Sequence, residues 1–397
     1  MYDYLIIGGG IIGLSMAKAI HEKDASAKIA IIEKEKEIAA HASGRNSGVL
    51  HAGFYYNENS LKAQFAKTGN KELQEYCDKH SLKINKCGKV IVAQNEDEIE
   101  GLEELRRRGD INGVELHWIS EKELAKRFPN VKTTQKALFS PTTATIDPKE
   151  LCMSIADELT KKGISILTYT KYIKRIGRYS IETTQGEIEY KKLINCAGLY
   201  ADKIAKEFGF AKSYTIIPFK GIYLKDKNNI SGLTTNIYPV PNLKNPFLGV
   251  HFTYAVDGSA KIGPTAIPAF WRENYKGFKN FSLEEMANIL FYEAKLFITD
   301  AFGFRALSIE EVQKYYKPHL LNLTKGLVKD MSLEGYDSWT TPGIRAQLLN
   351  TKTLELVQDF VVEGDKNSIH ILNAVSPALT SAFPFTRWVA DKYVLIL

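Results

Sequence analysis

The amino-acid sequence predicts an α/β protein of two domains, and three features of the chain support that prediction. The chain opens with an apolar, strand-like run that leads directly into Gly8, Gly10 and Gly13. A second apolar run, residues 29–32, follows a helix-compatible stretch and ends at Glu33. The length of 397 residues exceeds what one hydrophobic core usually fills, so a second domain is expected.

The spacing of the three glycines predicts a βαβ unit that binds a dinucleotide. Gly8 permits a tight turn, and Gly10 lets the backbone approach a pyrophosphate closely. Gly13 lets the following helix pack against the strand, so that the helix N-terminus presents unpaired N–H groups to the phosphates. The carboxylate of Glu33 suits the two hydroxyls of a ribose and not a 2′-phosphate. Together these residues predict a Rossmann-like domain.

The remaining elements follow from hydrophobic periodicity and turn signals. Helical spacing predicts helices over residues 61–79, 96–108, 121–127, 149–162, 200–208 and 282–298, with a last helix from about residue 376. Strands are predicted over residues 87–93, 139–146, 193–198, 220–224, 235–240, 248–252, 261–264, 354–362 and 369–372. Between residues 164 and 190 the pattern is that of a β-meander.

The nucleotide-binding pattern thus returns in three pieces along the chain. We expect residues 1–80, 141–215 and 336–397 to form a discontinuous Rossmann-like domain. Residues 81–140 and 216–335, in which strands dominate the longer piece, are expected to form a sheet-rich α+β domain that caps the nucleotide and binds the substrate.

Composition narrows the classes of protein and of partner. The net charge of +6 is spread along the chain, and the cluster Arg106–Arg108 stands beside many glutamates, so no nucleic acid is expected to bind. The four cysteines form no CxxC pair and no group with zinc spacing, so we expect no metal site and a reducing compartment.

Targeting signals are also lacking in the sequence pattern. The first strand begins at residue 2 or 3, and no run of about 18 apolar residues is present, so a cytoplasmic protein without a signal peptide or a spanning helix is expected. The apolar stretch from Trp388 to Leu397 is interpreted as a terminal helix docked on the core. Its alternative is peripheral contact with the inner face of a membrane.

One segment is far more specific than the glycine motif. Residues 41–56, HASGRNSGVLHAGFYY, resemble a segment of the L-2-hydroxyglutarate dehydrogenases and oxidases, which are FAD enzymes of the D-amino-acid-oxidase-like superfamily. Further matches follow in family order at residues 60–63, 76–77, 219–221, 238–241, 246–253, 262–264, 343–347 and 373–378, with 380–381 after them. Departures occur at Lys220, where the relatives carry arginine, and at Val375.

The resemblance implies a cofactor, a reaction and a set of partners. The discontinuous domain becomes an FAD-binding domain, and the sheet-rich domain becomes a substrate-capping domain. The implied substrate is L-2-hydroxyglutarate or a close small-molecule 2-hydroxy dicarboxylate, which would be oxidised to the 2-oxo acid by hydride transfer to flavin N5. A quinone or dioxygen would then accept the electrons.

The cofactor-binding residues combine the glycine motif with positions implied by the resemblance. They are Gly8, Gly10, Ile11, Gly13, Glu33, Lys34, Ser43, Asn46, Ser47, Gly48, Ile173, Ala197, Gly198, Lys261, Gly343, Pro377, Ala378 and Thr380. Lys261 matches a strand on which amine-oxidising relatives hold a lysine near the flavin, and a solvent-facing lysine is the alternative there. His41 is expected to position the loop that carries Asn46 and Ser47.

Oxidation of a 2-hydroxy acid needs a base for the hydroxyl proton and a cation for the carboxylate. His51 and His251 are the candidate bases, because only histidine titrates near neutral pH without perturbation. Each has the alternative of a hydrogen-bonded core histidine, and His51 that of a contact or covalent link to the flavin. Arg345 is the candidate for the carboxylate, since a guanidinium offers a two-pronged donor fork.

A dicarboxylate also requires a second anion site, for which the candidates are Lys220, Tyr223 and Tyr238. Two alternative functions stay open. One is a different substrate within the superfamily, namely glycerol 3-phosphate, glycine or a secondary amine. The other is a flavin-binding subunit that transfers electrons or assembles with partners.

Overall fold

The computed structural model describes residues 1–241 and 249–395 of the chain. Its α-helices are α1 (Ile11–Lys23), α2 (Leu61–Lys79), α3 (Ile99–Ile111), α4 (Glu121–Arg127), α5 (Pro148–Lys161), α6 (Ala201–Glu207), α7 (Leu283–Thr299), α8 (Phe304–Gln313), α9 (Lys317–Asn322) and α10 (Ala378–Val389). Its first strands are β1 (Tyr2–Ile7), β2 (Ile29–Ile32), β3 (Val49–Leu50), β4 (Ile84–Asn85), β5 (Lys89–Val92), β6 (His117–Ser120), β7 (Lys136–Ser140) and β8 (Ala144–Ile146).

The strands that follow form the meander and the second half of the chain. They are β9 (Ser165–Leu167), β10 (Tyr172–Arg175), β11 (Ser180–Thr183), β12 (Gly186–Asn195), β13 (Tyr214–Gly221), β14 (Leu224–Asp226), β15 (Asn236–Pro239), β16 (His251–Tyr254), β17 (Ala260–Gly263), β18 (Ile267–Pro268), β19 (Tyr336–Trp339), β20 (Gly343–Asn350), β21 (Val361–Gly364) and β22 (Ser368–Asn373).

The first large sheet is the scaffold of the nucleotide-binding side. Strands β22, β12, β1, β2 and β9 lie side by side and parallel, β21 adds an antiparallel edge, and the β10–β11 hairpin extends from β12. Helices α1, α2, α5 and α10 contribute to one core, in which Leu14, Met16 and Phe385 are fully buried. Parallel strands that are covered by helices read as continuous apolar runs, as β2 does with four buried residues.

The second large sheet caps this scaffold. Its strand order is β19-β14-β17-β16-β15-β5-β7-β6, and all neighbours are antiparallel except β15 and β5. A smaller sheet, β18-β13-β20, pairs two long strands along eight residues from Tyr214 to Gly221. The α/β fold class with a sheet-rich capping part is confirmed.

Several sequence-based expectations meet a different structure. Residues 304–322 fold into α8 and α9, which the sequence analysis did not predict, and most of the strand expected at 354–362 is irregular, with β21 beginning only at Val361. Strand β19 pairs with β14 in the second sheet, although residues 336–397 were assigned to the first domain. The domain boundaries stay a prediction. The strand expected at 248–252 and the match at 246–253 begin outside the described residues.

The C-terminal segment packs on the first core. Val389, Ala390 and Val394 are buried there, and the side chain of Trp388 lies against the same cluster, as expected for a docked terminal helix. Residues 396 and 397, also part of that apolar stretch, lie outside the described residues. Within the described part of the chain, no helix has both the length and the apolar character needed to cross a bilayer.

Candidate active site

One cavity of about 1640 Å³ lies where the first sheet, the second sheet and strand β20 meet. Drug-sized ligands occupy pockets of roughly 300–1,000 Å³, so this cavity has room for a dinucleotide and a small substrate together. Most of the predicted site residues line it, namely Gly8, Gly10, Ile11, Glu33, Lys34, Ser43, Asn46, Ser47, His51, Ile173, Ala197, Gly198, Tyr223, Tyr238, His251, Gly343, Arg345, Pro377, Ala378 and Thr380.

The glycine turn has the close approaches that its spacing predicts. Gly8 has a φ of +110°, and a Cβ there would lie 2.5 Å from the carbonyl oxygen of Cys196. A Cβ on Gly13 would lie 1.9 Å from the carbonyl oxygen of Gly8, which explains why helix α1 can pack only on a glycine at this point. Gly13 therefore contributes packing and does not line the cavity.

Glu33 is fixed at the end of β2 by the backbone around it. Its Oε2 accepts a hydrogen bond from the backbone N–H of Gly9 at 2.8 Å, and its Oε1 accepts one from Glu35 at 2.9 Å. The side chain is 7% exposed and lines the cavity. A carboxylate held in this way, next to the N-terminal turn of α1, fits the ribose of a dinucleotide whose pyrophosphate lies at Gly8 and Gly10.

Lys34 belongs to a charged cluster on the wall of the cavity. Its ammonium contacts Glu35 and lies 2.7 Å from Oε1 of Glu273. Burial raises the pKa of Glu273, but the hydrogen bond and charge of Lys34 outweigh it and lower that pKa to about 2. His41 bridges Glu35 at 3.0 Å and the hydroxyl of Tyr275 at 2.9 Å, so it anchors the loop that it was expected to position.

The loop after His41 is held in shape by Asn46. Its Nδ2 donates to the carbonyl of Ser43 at 2.9 Å, and its Oδ1 accepts from the backbone N–H of Gly48 at the same distance. Gly48 has a φ of +78° and packs against the carbonyl of Ile146, so it shapes the loop without lining the cavity. The hydroxyl of Ser43 accepts a hydrogen bond from the backbone N–H of Ile11 at 2.9 Å, which joins this loop to the glycine turn.

The two candidate bases face the same cavity and are nearly buried. The backbone N–H of His51 donates to the hydroxyl of Thr380 at 3.0 Å, whereas its Nδ1 has no hydrogen-bond partner among the described residues. Nδ1 of His251 lies 2.8 Å from the carbonyl of Gly249. A carbonyl only accepts, so this contact requires the proton on Nδ1 and leaves Nε2 of His251 as an acceptor.

Both histidines are held in the neutral form. The pKa of His251 is lowered to about 3, mainly by burial. The charges of Lys89 and Arg345 also lower this pKa, whereas the hydrogen bond to the carbonyl of Gly249 opposes the shift. Burial likewise lowers the pKa of His51 well below its ordinary value, with Lys89 and His251 as further causes. Proton acceptance by such a base becomes easier once an anionic substrate enters.

Arg345 lies on β20 beside these groups. Its backbone pairs with Phe219 of β13, and its Nη1 lies 3.4 Å from the carbonyl of Thr265. Burial raises the pKa of Tyr223, and the charge of Arg345 with the hydroxyl of Ser47 opposes that shift. The arginine therefore lies close enough to influence both Tyr223 and His251, as a carboxylate site next to a base requires.

Two predicted cations, Lys220 and Lys261, are absent from the cavity wall, as are Gly13 and Gly48. Nζ of Lys220 lies 3.1 Å from Oδ1 of Asn274, and Lys261 lies opposite Lys225 and Thr253 in the second sheet. Burial lowers the pKa of Lys261, and the charge of Asp257 opposes that shift. Neither side chain is among those that line the cavity. The predicted roles of Lys220 at the second carboxylate and Lys261 at the flavin have no support from this placement.

Several cations that were not predicted as site residues also line the cavity, and Lys62 and Arg108 are among them. Burial lowers the pKa of Lys62, at the start of α2, to about 8, and the charge of Asp359 opposes that shift. Arg108 donates to the carbonyl of Tyr55 at 3.1 Å and pairs with Glu104 at 2.7 Å. Lys62 lies within the family match at residues 60–63, and that match was the sequence signal that could have pointed to Lys62 as a site residue. The run Arg106–Arg108 was interpreted only as a solvated helix face.

The similarity of the chain to known proteins agrees with this geometry. Residues 3–392 match the sequence model of the DAO family, which is described as FAD dependent oxidoreductase. The L-2-hydroxyglutarate dehydrogenase of Escherichia coli is 35% identical over 403 residues, which cover 100% of this chain and 94% of that protein. The human mitochondrial L-2-hydroxyglutarate dehydrogenase is 34% identical, with 98% of this chain and 88% of that protein covered.

Solved structures share the fold. The dithionite-reduced L-α-glycerophosphate oxidase of Mycoplasma pneumoniae with FAD bound has a TM-score of 0.75 at 24% identity, with 97% of this chain and 93% of that chain covered. The glycine oxidase of Geobacillus kaustophilus has a TM-score of 0.69 at 17% identity, with 98% and 94% covered. At these identities the likeness concerns the fold alone.

The cofactor is FAD, and the residues that line the cavity fit it. The glycine turn, the fixed carboxylate of Glu33 and the loop around Asn46 form the cradle that a dinucleotide needs. The protein belongs to the DAO family of FAD-dependent oxidoreductases and, within it, to the L-2-hydroxyglutarate dehydrogenase family that the motif at residues 41–56 predicted.

Proposed function

We propose that this protein oxidises L-2-hydroxyglutarate, or a close 2-hydroxy acid, to the corresponding 2-oxo acid. The observation that carries the proposal is the meeting of Arg345, His251 and His51 in one cavity with the FAD cradle. A carboxylate cation beside a base is what a 2-hydroxy acid needs, because its carboxylate and its hydroxyl stand on adjacent carbons. Full-length relatives that bear the name of this activity support the same substrate.

The residues of the chain would bind and orient the substrate and take one proton. FAD, when bound, supplies the acceptor for the hydride that leaves the hydroxyl-bearing carbon. Arg345 holds the adjacent carboxylate by its donor fork. We assign proton acceptance from the hydroxyl to the pair His51 and His251, in which Nε2 of His251 is the acceptor that the contact of Nδ1 with the carbonyl of Gly249 leaves. The hydroxyl proton goes to the imidazole as the C–H electron pair leaves with the hydride.

The second carboxylate of the substrate would bind near Lys62. Lys62 lines the cavity and has no carboxylate within salt-bridge distance among the described residues, whereas Arg108 is engaged by Glu104. This assignment replaces Lys220, whose ammonium lies against Asn274. Tyr223 and Tyr238, which also line the cavity, would contact the carbon chain between the two carboxylates.

We further propose that a quinone in a membrane accepts the electrons, through peripheral contact of the α7–α8 region. Large apolar side chains are exposed there, with Phe302 at 77% and Ile298 at 75%, and Phe278 at 83% stands on the preceding loop. The contact rests on these apolar side chains, because the cations of the region, Lys295 and Arg305, stand among the exposed carboxylates Glu284, Asp300 and Glu310. Patches of this kind are costly on a protein that meets only water.

The electron acceptor and the membrane contact are tested together. Purified holoenzyme is sedimented with phospholipid vesicles, with and without a lipid-soluble quinone, and substrate-dependent quinone reduction is followed. Ile298→Ser with Phe302→Ser should weaken both sedimentation and quinone reduction but leave flavin reduction unchanged. The control variant is Met153→Ser, at an exposed apolar residue. Ile173 is also exposed, but it lines the cavity, so Ile173→Ser would not be a suitable control. If the double variant sediments with vesicles as well as the wild type does, this surface is not the membrane contact. If the enzyme turns over with dioxygen and not with the quinone, the quinone is not the electron acceptor.

The substrate is tested by turnover with an artificial electron acceptor. L-2-hydroxyglutarate, D-2-hydroxyglutarate, glycerol 3-phosphate and glycine are supplied in turn, and the 2-oxo acid is identified by mass. The proposal expects the highest kcat/KM for L-2-hydroxyglutarate and a 2-oxoglutarate product. A higher kcat/KM for glycerol 3-phosphate or glycine would keep the family and overturn the substrate.

A further inference from the structure

Lys89 is a buried cation that none of the roles above uses. It is the first residue of β5, where its backbone pairs with Asn236 of β15 and Ser140 of β7. Its side chain is 0% exposed, and its ammonium has no hydrogen-bond partner among the described residues. A buried ammonium without such partners costs free energy, so its presence calls for a physical reason.

Three aromatic rings surround this ammonium. Nζ of Lys89 lies 4.5 Å from the ring centre of Tyr238, 4.6 Å from that of Tyr55 and 5.1 Å from that of Phe54. Each distance is within the range in which a ring face attracts a cation. Tyr55 and Tyr238 line the cavity, whereas Lys89 does not, so the ammonium lies behind an aromatic wall of the site.

The two candidate bases lie along the same wall. His251 stacks on Tyr238, with ring centres 3.7 Å apart, and Lys89 acts electrostatically on both His251 and His51. In a medium of low dielectric constant, a second positive charge near a buried cation is unfavourable. A proton on either imidazole is therefore resisted by Lys89 as well as by burial.

The other groups that face Lys89 do not change charge in the range where an enzyme works. Burial raises the pKa of Cys87, which precedes β5, to about 11, and raises those of Tyr55 and Tyr238 well above their ordinary value. The backbone partners on β7 and β15, Ser140 and Asn236, carry no charge. Arg345, on β20, also acts electrostatically on His251.

We propose that Lys89 is a positioning residue of the reaction, whose caged ammonium keeps His51 and His251 neutral and able to accept a proton. The assignment of the histidines as bases rests on the proposed oxidation. The effect of Lys89 on the charge of His51 and His251 does not rest on the proposed oxidation, because it follows from the positions of the aromatic cage and the histidines alone. The positive potential behind the wall also favours the entry of an anionic substrate.

The direction of the pH dependence supports this role. Burial lowers the pKa of Lys89 to about 7, and the neighbouring Cys87 opposes that shift. Lys89 is therefore charged at pH values below about 7, where exposed histidines gain their proton. Burial already lowers the pKa values of both histidines, so they take up a proton only in the acid range, where Lys89 is charged and opposes that uptake.

The test is a histidine titration of the substrate-free holoenzyme by NMR, with histidine labelled selectively. Wild type, Lys89→Met and Lys89→Arg are compared, and His51→Asn and His251→Asn assign the signals. Lys89→Met should raise the titration midpoints of both histidines by about one pH unit, a tenfold gain in proton affinity. Lys89→Arg keeps the charge and should restore the wild-type midpoints. Lys136→Met, on the next strand and paired with Glu103, is the matched control.

The variant is expected to fold, because Met is apolar and of similar length and because the ammonium of Lys89 has no hydrogen bond that the change would remove. Lys89→Gln provides a second neutral side chain if Lys89→Met loses FAD. Unchanged midpoints in either variant with FAD bound would overturn the proposal. With the proposed substrate, the rate of flavin reduction falls at low pH, and the midpoint of this fall should move to a higher pH in Lys89→Met. A shift of the NMR midpoints with no turnover would keep the role of Lys89 and reject the substrate.

Discussion

The imidazole of His251 stacks on the phenol ring of Tyr238, with ring centres 3.7 Å apart and planes 18° apart. This stacking and the contact of Nδ1 with the carbonyl of Gly249 at 2.8 Å fix both the plane and the tautomer of the imidazole. The same phenol ring belongs to the cage around Lys89. One side chain thus connects the orientation of a candidate base with a charge that opposes its protonation.

The glycine turn gives a test of cofactor binding. Gly13→Ala would place a Cβ 1.9 Å from the carbonyl oxygen of Gly8, so helix α1 must move away from the turn. We expect purified Gly13→Ala protein to lose most of its FAD, measured as the ratio of flavin to protein absorbance. Gly163→Ala meets no atom within 4 Å, although its φ of +82° is unfavourable for alanine. It should cost about 1 kcal/mol of stability and keep its FAD.

Arg345 gives a test of the carboxylate site. Arg345→Lys keeps the charge but loses the fork that holds a carboxylate by two hydrogen bonds. We expect kcat/KM for L-2-hydroxyglutarate to fall by about 100-fold, which corresponds to about 3 kcal/mol, while FAD content stays constant. Arg106→Lys, in an exposed i,i+4 pair with Asp110, should have wild-type kinetics. An unchanged kcat/KM in Arg345→Lys would remove Arg345 from the substrate site.

A buried ion pair supports the segment that carries Ala197 and Gly198. Arg272 binds Asp202 through two hydrogen bonds of 2.7 and 2.9 Å, and both side chains are at most 2% exposed. Arg272 also donates to the carbonyl of Leu199, next to Gly198. Arg272→Met leaves the carboxylate of Asp202 buried and unpaired, so the free energy of unfolding should fall by about 4 kcal/mol.

The control for that variant removes both charges. Arg272→Met combined with Asp202→Leu should recover a large part of the lost stability, because no buried charge is then left unpaired. Denaturant unfolding of the FAD-loaded proteins measures both effects. A double variant as unstable as the single one would show that packing, not charge, determines the loss.

His370 gives a test of acid sensitivity. Nδ1 of this buried histidine accepts a hydrogen bond from the amide of Asn195 at 3.1 Å, and burial lowers the pKa of His370 to about 4. The unfolded chain therefore binds a proton between pH 6.5 and pH 4 that the folded chain does not, so stability falls as the pH falls through this window. The contribution is about 3 kcal/mol, from the size of the pKa shift.

His370→Gln should flatten this part of the dependence of unfolding free energy on pH. The exposed His117→Gln is the matched control and should leave the dependence unchanged. If His370→Gln shows the full wild-type loss between pH 6.5 and pH 4, other groups are responsible for it.

The sequence was sufficient for the parts of the site that depend on local chemistry. The turn at Gly8, the fixed carboxylate of Glu33 and helix α2, with the bounds Leu61–Lys79, follow from local spacing and periodicity. The positions of His51 and Arg345 in one cavity were implied by the resemblance, since no local pattern joins residues so far apart in the chain.

The parts that were missed depend on contacts between distant segments. The placement of Lys89 depends on β5 lying parallel to β15, and that pairing brings Lys89 and Tyr238 together. Lys220 lies on the predicted strand, but its ammonium meets Asn274 on a loop whose position periodicity does not define. Helices α8 and α9 are too short for the long apolar period of α2, and in α8 the apolar residues Ile309 and Val312 are exposed.

The central claim is that the bound flavin accepts electrons from L-2-hydroxyglutarate, and anaerobic mixing tests it most directly. Purified FAD-loaded protein is mixed with each enantiomer of 2-hydroxyglutarate, and the visible absorbance of the oxidised flavin is followed through a single turnover. The account predicts rapid bleaching by the L-enantiomer, little by the D-enantiomer, and loss of the fast phase when both His51 and His251 are replaced by Asn. A flavin that stays oxidised with L-2-hydroxyglutarate would contradict the account.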